Sequence, residues 1–435
     1  MDNRLAGNLA IQEVEIGEIF NELGSLSAEL GEKWPRFRGE ALDNISKSPV
    51  KLIDAFADTI PEIMWSVELG EGYSGAVIYE GVVYILDYDE EERADLLRSF
   101  DLISGQEIWQ RGYHVNVKRN HGKSRTIPAI TDKYIVTMGP KGHVMCLDRK
   151  DGSYRWGLNV VKDYQTEIPL WYTGQCPLID EDIAVIASCG TTLMLGIDCE
   201  SGEIIWETPN PKGFKMSHSS VMKMEFAGRK MYVYSALGAA FGVSAEGSDR
   251  GQIVWESDEW NHDVVAASPV CLPDGKIFLS AAYGTGCMVL QLVDSAGQIS
   301  YKVFDEYAPG EGFAAEQQTP IFYQGHLFSI LPKYAASLRN QFVCVDPSNF
   351  REMVWSSGKT VRFGLGPYIV ADGKFFILSD DGVLTIAQAR TDRYIQLDQV
   401  KVFQNGQDAW APIAIADGYM VLRDSKEMVC INLRK

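Results

Sequence analysis

Six side chains with hydrogen-bonding or stacking chemistry recur near matching places in successive segments of the sequence: Arg125, Gln175, His218, Gln318, Arg362 and Trp410. Each arginine offers a fork of charge-assisted donors suited to a carboxylate or phosphate. Glutamine and histidine can fix orientation, and Trp410 offers a stacking face. A histidine titrating in its ordinary range would make such a site pH-sensitive between about pH 5 and 8. Neighbouring positions add Tyr73, Tyr172, Ser217, Asn261, His262, Gln317 and Asp408. If these positions converge on one axis, they form a polar ring with aromatic flanks that would hold a small polar ligand. The alternative is a water-filled channel with solvated walls, and residue types alone leave both open.

Other constellations are weaker. His114, Lys118, Arg119, His121, Lys123 and Arg125 crowd one loop and suit an anion, although a solvated loop paired with acidic neighbours is the simpler reading. Asp87, Asp89, Glu90, Glu91, Glu92 and Asp95 form an acidic hairpin without the ordered alternation of a calcium loop, so a solvated turn is expected. His114 and His121 do not have recognised zinc spacing, and no nucleophile elbow occurs. No catalytic or metal-binding residue is assigned. The eight cysteines include no CxxC, vicinal pair or haem-attachment motif. Cys146, Cys344 and Cys430 stand in matching contexts, which predicts separate buried thiols rather than a disulfide framework.

With 40 basic and 59 acidic residues, the net charge of −19 repels nucleic-acid phosphates and anionic lipid surfaces, so no nucleic-acid partner is expected. No apolar run reaches membrane-spanning length, and no signal-peptide pattern is visible.

The elements that must position the six side chains are legible in a repeat of about 48 residues. An aromatic residue closes each unit: Trp65, Trp109, Trp156, Trp206, Trp255, Tyr301, Trp355 and Phe403. Three units carry Asp-x3-Gly-x3-Trp, at Asp101/Gly105/Trp109, Asp148/Gly152/Trp156 and Asp198/Gly202/Trp206. Aspartate and glycine suit the turn of a hairpin, and the aromatic on its returning strand is expected to pack on neighbouring strands. Units open on a small apolar strand, often with an early proline, as at Ile127-Pro-Ala-Ile130, Cys176-Pro-Leu-Ile179 and Thr319-Pro-Ile-Phe322. Four short strands per unit are the pattern of a propeller blade.

The last unit ends three strands in, and Ile63–Leu69 can supply its missing outer strand. This predicts an all-β, eight-bladed β-propeller of four-stranded blades over residues 61–435, closed by an N-terminal strand. Residues 1–60 carry an apolar pattern over Leu9–Leu30, interrupted at Gly17 and Gly24, and a second apolar stretch over Leu52–Ile60. The expectation is a short helical N-terminal extension docked on the propeller, with a stalk or oligomer contact as the sharper alternative.

The tryptophan-closed repeat resembles the pyrroloquinoline-quinone-type (quinoprotein alcohol dehydrogenase-like) propeller family, including outer-membrane-assembly propeller lipoproteins. Trp34-Pro-Arg-Phe-Arg-Gly39, Asp198-Cys-Glu-Ser-Gly-Glu-Ile-Ile-Trp206 and Ser280-Ala-Ala-Tyr-Gly-Thr-Gly286 are similar to uncharacterised bacterial quinone-binding-like propeller proteins. The resemblance implies a periplasmic or other extracytoplasmic location, often with a lipid or membrane anchor, which would lie outside this sequence. It also implies two functions. One is a noncatalytic binding or scaffold propeller, with a small anionic or sugar-like ligand or a protein partner at the funnel mouth and no cofactor. The alternative is a quinone-dependent dehydrogenase of alcohols or sugars carrying pyrroloquinoline quinone (PQQ) with calcium. The vicinal cysteine pair common beside the quinone in such enzymes is missing here, as is a haem site, which favours the first.

Overall fold

Ile183–Ile186, apolar at every position, forms a strand buried on both faces, whereas Ile204–Pro209 alternates exposed and buried residues. That difference is what a propeller requires. Inner strands lie between neighbouring blades, and outer strands meet solvent. The computed structural model describes residues 13–27, 30–56 and 62–435. Eight antiparallel sheets follow one another in chain order as eight blades. The blades begin with inner strands at Val77–Tyr79, Ala129–Ile130, Leu178–Asp180, Met222–Phe226, Val270–Cys271, Ile321–Tyr323, Tyr368–Ala371 and Ala414–Ala416. Among the described residues no helix is long and apolar enough to cross a membrane.

The ring closes as the sequence predicts. Ile63–Glu68 pairs antiparallel with Glu427–Asn432, placing Trp65 opposite Cys430 as the outer strand of the eighth blade. Neither end of the chain leaves that blade with a missing strand.

The aspartate–glycine–tryptophan pattern acts between blades. In the first blade Asp101 Oδ1 accepts from the N–H groups of Ile103 (3.0 Å) and Ser104 (2.7 Å), and Gly105 takes φ +70°. Gly105 lies against Trp65 of the eighth blade, whose Nε1–H donates to Leu102 O at 2.8 Å. Gly152 meets Trp109, Gly202 meets Trp156, and Gly251 meets Trp206 in the same manner. The aromatic thus docks chiefly on the turn of the next blade, because only a glycine turn lets an indole come so close. The later repeats depart from this. Gly297 ends a hairpin of two ten-residue strands, Gly286–Ser295 and Gln298–Tyr307, with no side chain against it.

A second set of contacts runs around the axis. The residue before the inner-strand proline, or its equivalent, donates its N–H to the matching side chain one blade on. Ile127 donates to Cys176 Sγ (3.3 Å), Cys176 to Ser220 Oγ (2.9 Å), Ser220 to Ser268 Oγ (2.9 Å) and Ser268 to Thr319 Oγ1 (2.9 Å). Proline is tolerated next to this belt because the inner strand is an edge strand.

The N-terminal extension forms strands, turns and no helix over its described residues, which corrects the expectation above; Leu9, Ile11 and residues 57–60 of the second apolar stretch lie outside them. Ile19–Glu22 adds a strand to the outer edge of the first blade, pairing with Glu107–His114. Gly17 at φ +85° interrupts any helix, and the edge strand offers unpaired backbone groups that a helix could not satisfy. Phe20 sits 6.5 Å from Trp109, beneath the Arg111 guanidinium. Lys33–Trp34 then pairs with the inner strand of the first blade, and the chain crosses the ring. Pro35 O accepts from Ile130 N at 2.8 Å in the second blade, and Arg36 donates to Ile179 O at 2.8 Å in the third. Arg38 donates to Thr319 O (2.7 Å) and Pro320 O (2.8 Å) on the sixth, while Asn44 and Val370 pair on the seventh. Residues 33–46 therefore strap blades on opposite sides of the axis.

Candidate functional site

Loops leading into the inner strands converge on one cavity of about 420 Å³, floored by Phe37 from the N-terminal strap. Arg125, His218, Gln318 and Trp410 line it, although they stand up to 285 residues apart in the chain. Gln175 and Arg362 do not. Gln175 is fully buried and turned into its own blade, where Nε2 donates to Ala187 O and Oε1 accepts from Ala187 N, both at 2.8 Å. It acts as a substitute for a missing backbone pair. Arg362 is exposed and turns onto backbone carbonyls, donating to Lys359 O of its own loop at 3.1 Å and to Arg339 O of the sixth blade. Equivalent place in a repeat does not guarantee equivalent direction of a side chain.

The Arg125 guanidinium is half-buried. Nε donates to Trp171 O at 2.6 Å, and Nη2 reaches the carbonyls of Asn120 and His121. It lies over the Tyr73 ring at 5.1 Å, and no described carboxylate forms an ion pair with it. Burial lowers its pKa to about 10, so it remains cationic at neutral pH. Trp410 spends its Nε1–H on Asp380 Oδ1 at 2.9 Å, which orients its ring 5.0 Å from Tyr73. Gln318 donates to Trp410 O (2.8 Å) and Leu365 O (3.3 Å), fixing the amide.

His218 Nε2 bonds Leu170 O, so the proton of the neutral ring resides on Nε2 and Nδ1 is an acceptor. Burial, with Arg125 adding like charge, lowers its pKa to about 4. That lies below the ordinary histidine range, so the ring is neutral near pH 7.

Trp171, Tyr283, Glu316 and Lys333 also line the cavity, from positions the repeat pattern does not mark. Their signals were faint: Trp171-Tyr172 just before the third blade, Tyr283 inside a motif noted for resemblance, and Glu316 beside the two glutamines. Trp171 and Tyr172 both have positive φ, +67° and +72°, which turns this loop over the mouth. The remaining basic loop mostly pairs with acids, as the simpler reading held. Arg119 meets Glu71 at 2.7 Å, His114 meets Glu18 at 2.9 Å, and Lys123 meets Glu90. In the acidic hairpin, Asp89 caps the turn at Glu91 and Glu92, while Asp87 pairs with Arg98 at 3.0 Å. All eight cysteines are free thiols.

The cavity wall does not fit a calcium-bound quinone. A hard cation held on a quinone and a catalytic aspartate together need at least two carboxylates, and Glu316 is the one on this wall. Among the described residues no group of three His, Cys, Asp or Glu side chains is placed to hold a metal.

The fold and cavity define an eight-bladed propeller with an aromatic-walled cup that carries a few polar and charged groups, floored by its own N-terminal strap. The family model described as outer membrane protein assembly factor BamB matches residues 61–168 and 93–297, and the chain belongs to that family of pyrroloquinoline-quinone-type propellers. No curated protein matches the sequence. Among solved structures, a europium-containing methanol dehydrogenase is similar at 12% identity and TM-score 0.63, over 92% of this chain and 98% of that one. BamB from Moraxella catarrhalis is similar at 12% identity and TM-score 0.55, over 86% and 98%. The quinohemoprotein alcohol dehydrogenase ADHIIG from Pseudomonas putida HK5 follows at 12% and 0.60, over 92% and 80%. At such identity the likeness is one of fold alone.

Proposed function

We propose that this chain is a noncatalytic, extracytoplasmic binding propeller whose cup takes a small ligand with a carboxylate or similar anion and an apolar or aromatic body. One observation carries the reading. Arg125 presents a cation inside a cavity, backed by Tyr73, with no described carboxylate paired to it. A half-buried guanidinium held by backbone carbonyls keeps its geometry and gains most from an incoming anion. Trp410, Tyr73 and Trp171 supply stacking faces, and Gln318 and neutral His218 supply fixed polar contacts. The family's description as an outer membrane assembly factor supports the extracytoplasmic location and a protein partner. The single carboxylate on the wall weighs against the alternative, a quinone-dependent dehydrogenase.

Calorimetric titration with benzoate and with uncharged benzamide tests the reading. Benzoate should bind more tightly, and Arg125→Gln should remove the difference, a loss of about 1.5–3 kcal/mol for a charge-assisted contact. Equal affinity of wild-type protein for the two probes would overturn it. Dye reduction with an alcohol panel, after adding the quinone and calcium, would instead establish the dehydrogenase.

A further inference from the structure

Glu316 is 7% exposed and lines the same cavity. Its Oε1 accepts from the Tyr283 N–H at 3.4 Å, while Oε2 has no hydrogen-bond partner among the described residues. Lys333, on the same wall, favours the Glu316 charge from a distance but supplies no donor to Oε2. That side chain is exposed, and its ammonium lies over the rings of Tyr283 (5.9 Å) and Tyr334 (5.0 Å) without forming an ion pair to Glu316. A buried acceptor left without a donor is costly, so a ligand donor placed there is strongly favoured. The neighbouring rings specify what kind of donor. Trp171 and Tyr283 stand 5.7 Å apart, tilted at 41°, and aromatic faces beside a carboxylate attract a cation.

Tyr283 lies within electrostatic reach of both Arg125 and Glu316, yet those two do not pair with each other. The cavity therefore carries a cationic pole and an anionic pole along one aromatic wall. The lining also has apolar side chains, among them Phe37, Ile127 and Val264. We propose that the cup binds a zwitterion, a free amino acid or short peptide with an apolar side chain, whose carboxylate meets Arg125 and whose ammonium meets Glu316. This rests on the anion-binding reading above and adds the second pole.

Three probes separate the two claims in calorimetric titrations of the full chain: glycyl-L-phenylalanine, its N-acetyl form, and its C-terminal amide. Wild-type protein should bind the zwitterion about tenfold or more tightly than either blocked form. Glu316→Gln should erase the advantage over the N-acetyl form and keep the advantage over the amide. Arg125→Gln should do the reverse. Melting curves establish that both variants fold, and the wild-type comparison stands without them. If the N-acetyl form binds wild-type protein as well as the zwitterion does, the second pole is refuted while anion binding stands. If the amide also binds equally, both claims fall; if none of the three binds, the zwitterion proposal is refuted and the benzoate titration alone decides anion binding.

Discussion

The backbone N–H of Cys176 donates to Ser220 Oγ across the boundary between the third and fourth blades, at 2.9 Å. It is one link of a belt in which a small side chain just ahead of the inner strand receives an N–H from the preceding blade. All of these groups but the Ile127 side chain are small, and all are buried. Ser220→Ala should leave the Cys176 N–H unsatisfied and cost about 1–3 kcal/mol, the penalty for a buried donor without a partner. Cys176→Ser, which retains an acceptor for Ile127, should cost less. Urea unfolding of the two variants checks both.

Docking of tryptophan on glycine should be similarly local. A Cβ on Gly105 would fall 2.4 Å from Trp65 Cγ, and φ there is +70°. Gly105→Ala combines a steric clash with backbone strain and is expected to cost more than about 2 kcal/mol. Gly297→Ala has comparable φ, +85°, but open space, so it should lose only about 1–2 kcal/mol. Similar melting temperatures for the two would show that the indole contact contributes nothing.

Ring closure depends on Ile63–Glu68. Deleting that strand should destabilise the protein far more than deleting residues 1–27, although the latter also removes the Ile19–Glu22 strand. The first deletion opens the ring between its first and last blades, and the second only exposes an outer edge. If both truncations melt alike, closure is not the stabilising feature.

Arg38 is 4% exposed and donates to carbonyls of Leu42, Asp43, Thr319 and Pro320. Arg38→Ala should cost about 2–4 kcal/mol through the buried carbonyls it abandons. Arg38→Lys should recover little, because one ammonium cannot reproduce a planar fork. Thermal unfolding of both variants reads this directly, and full rescue by lysine would argue for charge alone.

His218 and His143 both have folded pKa values lowered to about 4 by burial, from an ordinary 6.5. The unfolded chain therefore binds protons more readily between those values. The stability from keeping both rings neutral is fully present above about pH 6.5 and is lost as pH falls toward 4. His218→Gln with His143→Gln should flatten the decline in melting temperature over that window. Benzoate affinity should keep the same pH profile in wild-type protein and His218→Gln from pH 5.5 to 8. A difference between those profiles would restore a titrating His218.

Much of this architecture was legible in sequence because it is repetitive. The Asp-x3-Gly-x3-Trp spacing states a hairpin turn and its docking aromatic, and repetition at near-constant intervals multiplies a weak local signal. The missing fourth strand after Trp410, matched by a spare strand at Ile63, was enough to count the blades. The cup was legible only in part. Convergence of the inner-strand loops placed Arg125, His218, Gln318 and Trp410 together, since the ring symmetry decides which loops share a mouth.

Direction was decided elsewhere. Gln175 turned inward to replace a backbone pair at Ala187, and Arg362 folded onto nearby carbonyls, because local hydrogen-bond demands outweighed their place in the repeat. The apolar residues near Ile19 and Phe20 suited a helix equally well until an unpaired blade edge was available to them. Burial moved His218 out of its ordinary titration range, and it also left Glu316 Oε2 without a donor among the described residues. Sequence determined the repeat, the blade number and the axis. Only the tertiary structure decided which side chains face the axis and how strongly each is desolvated, since both depend on neighbours that are distant in the chain.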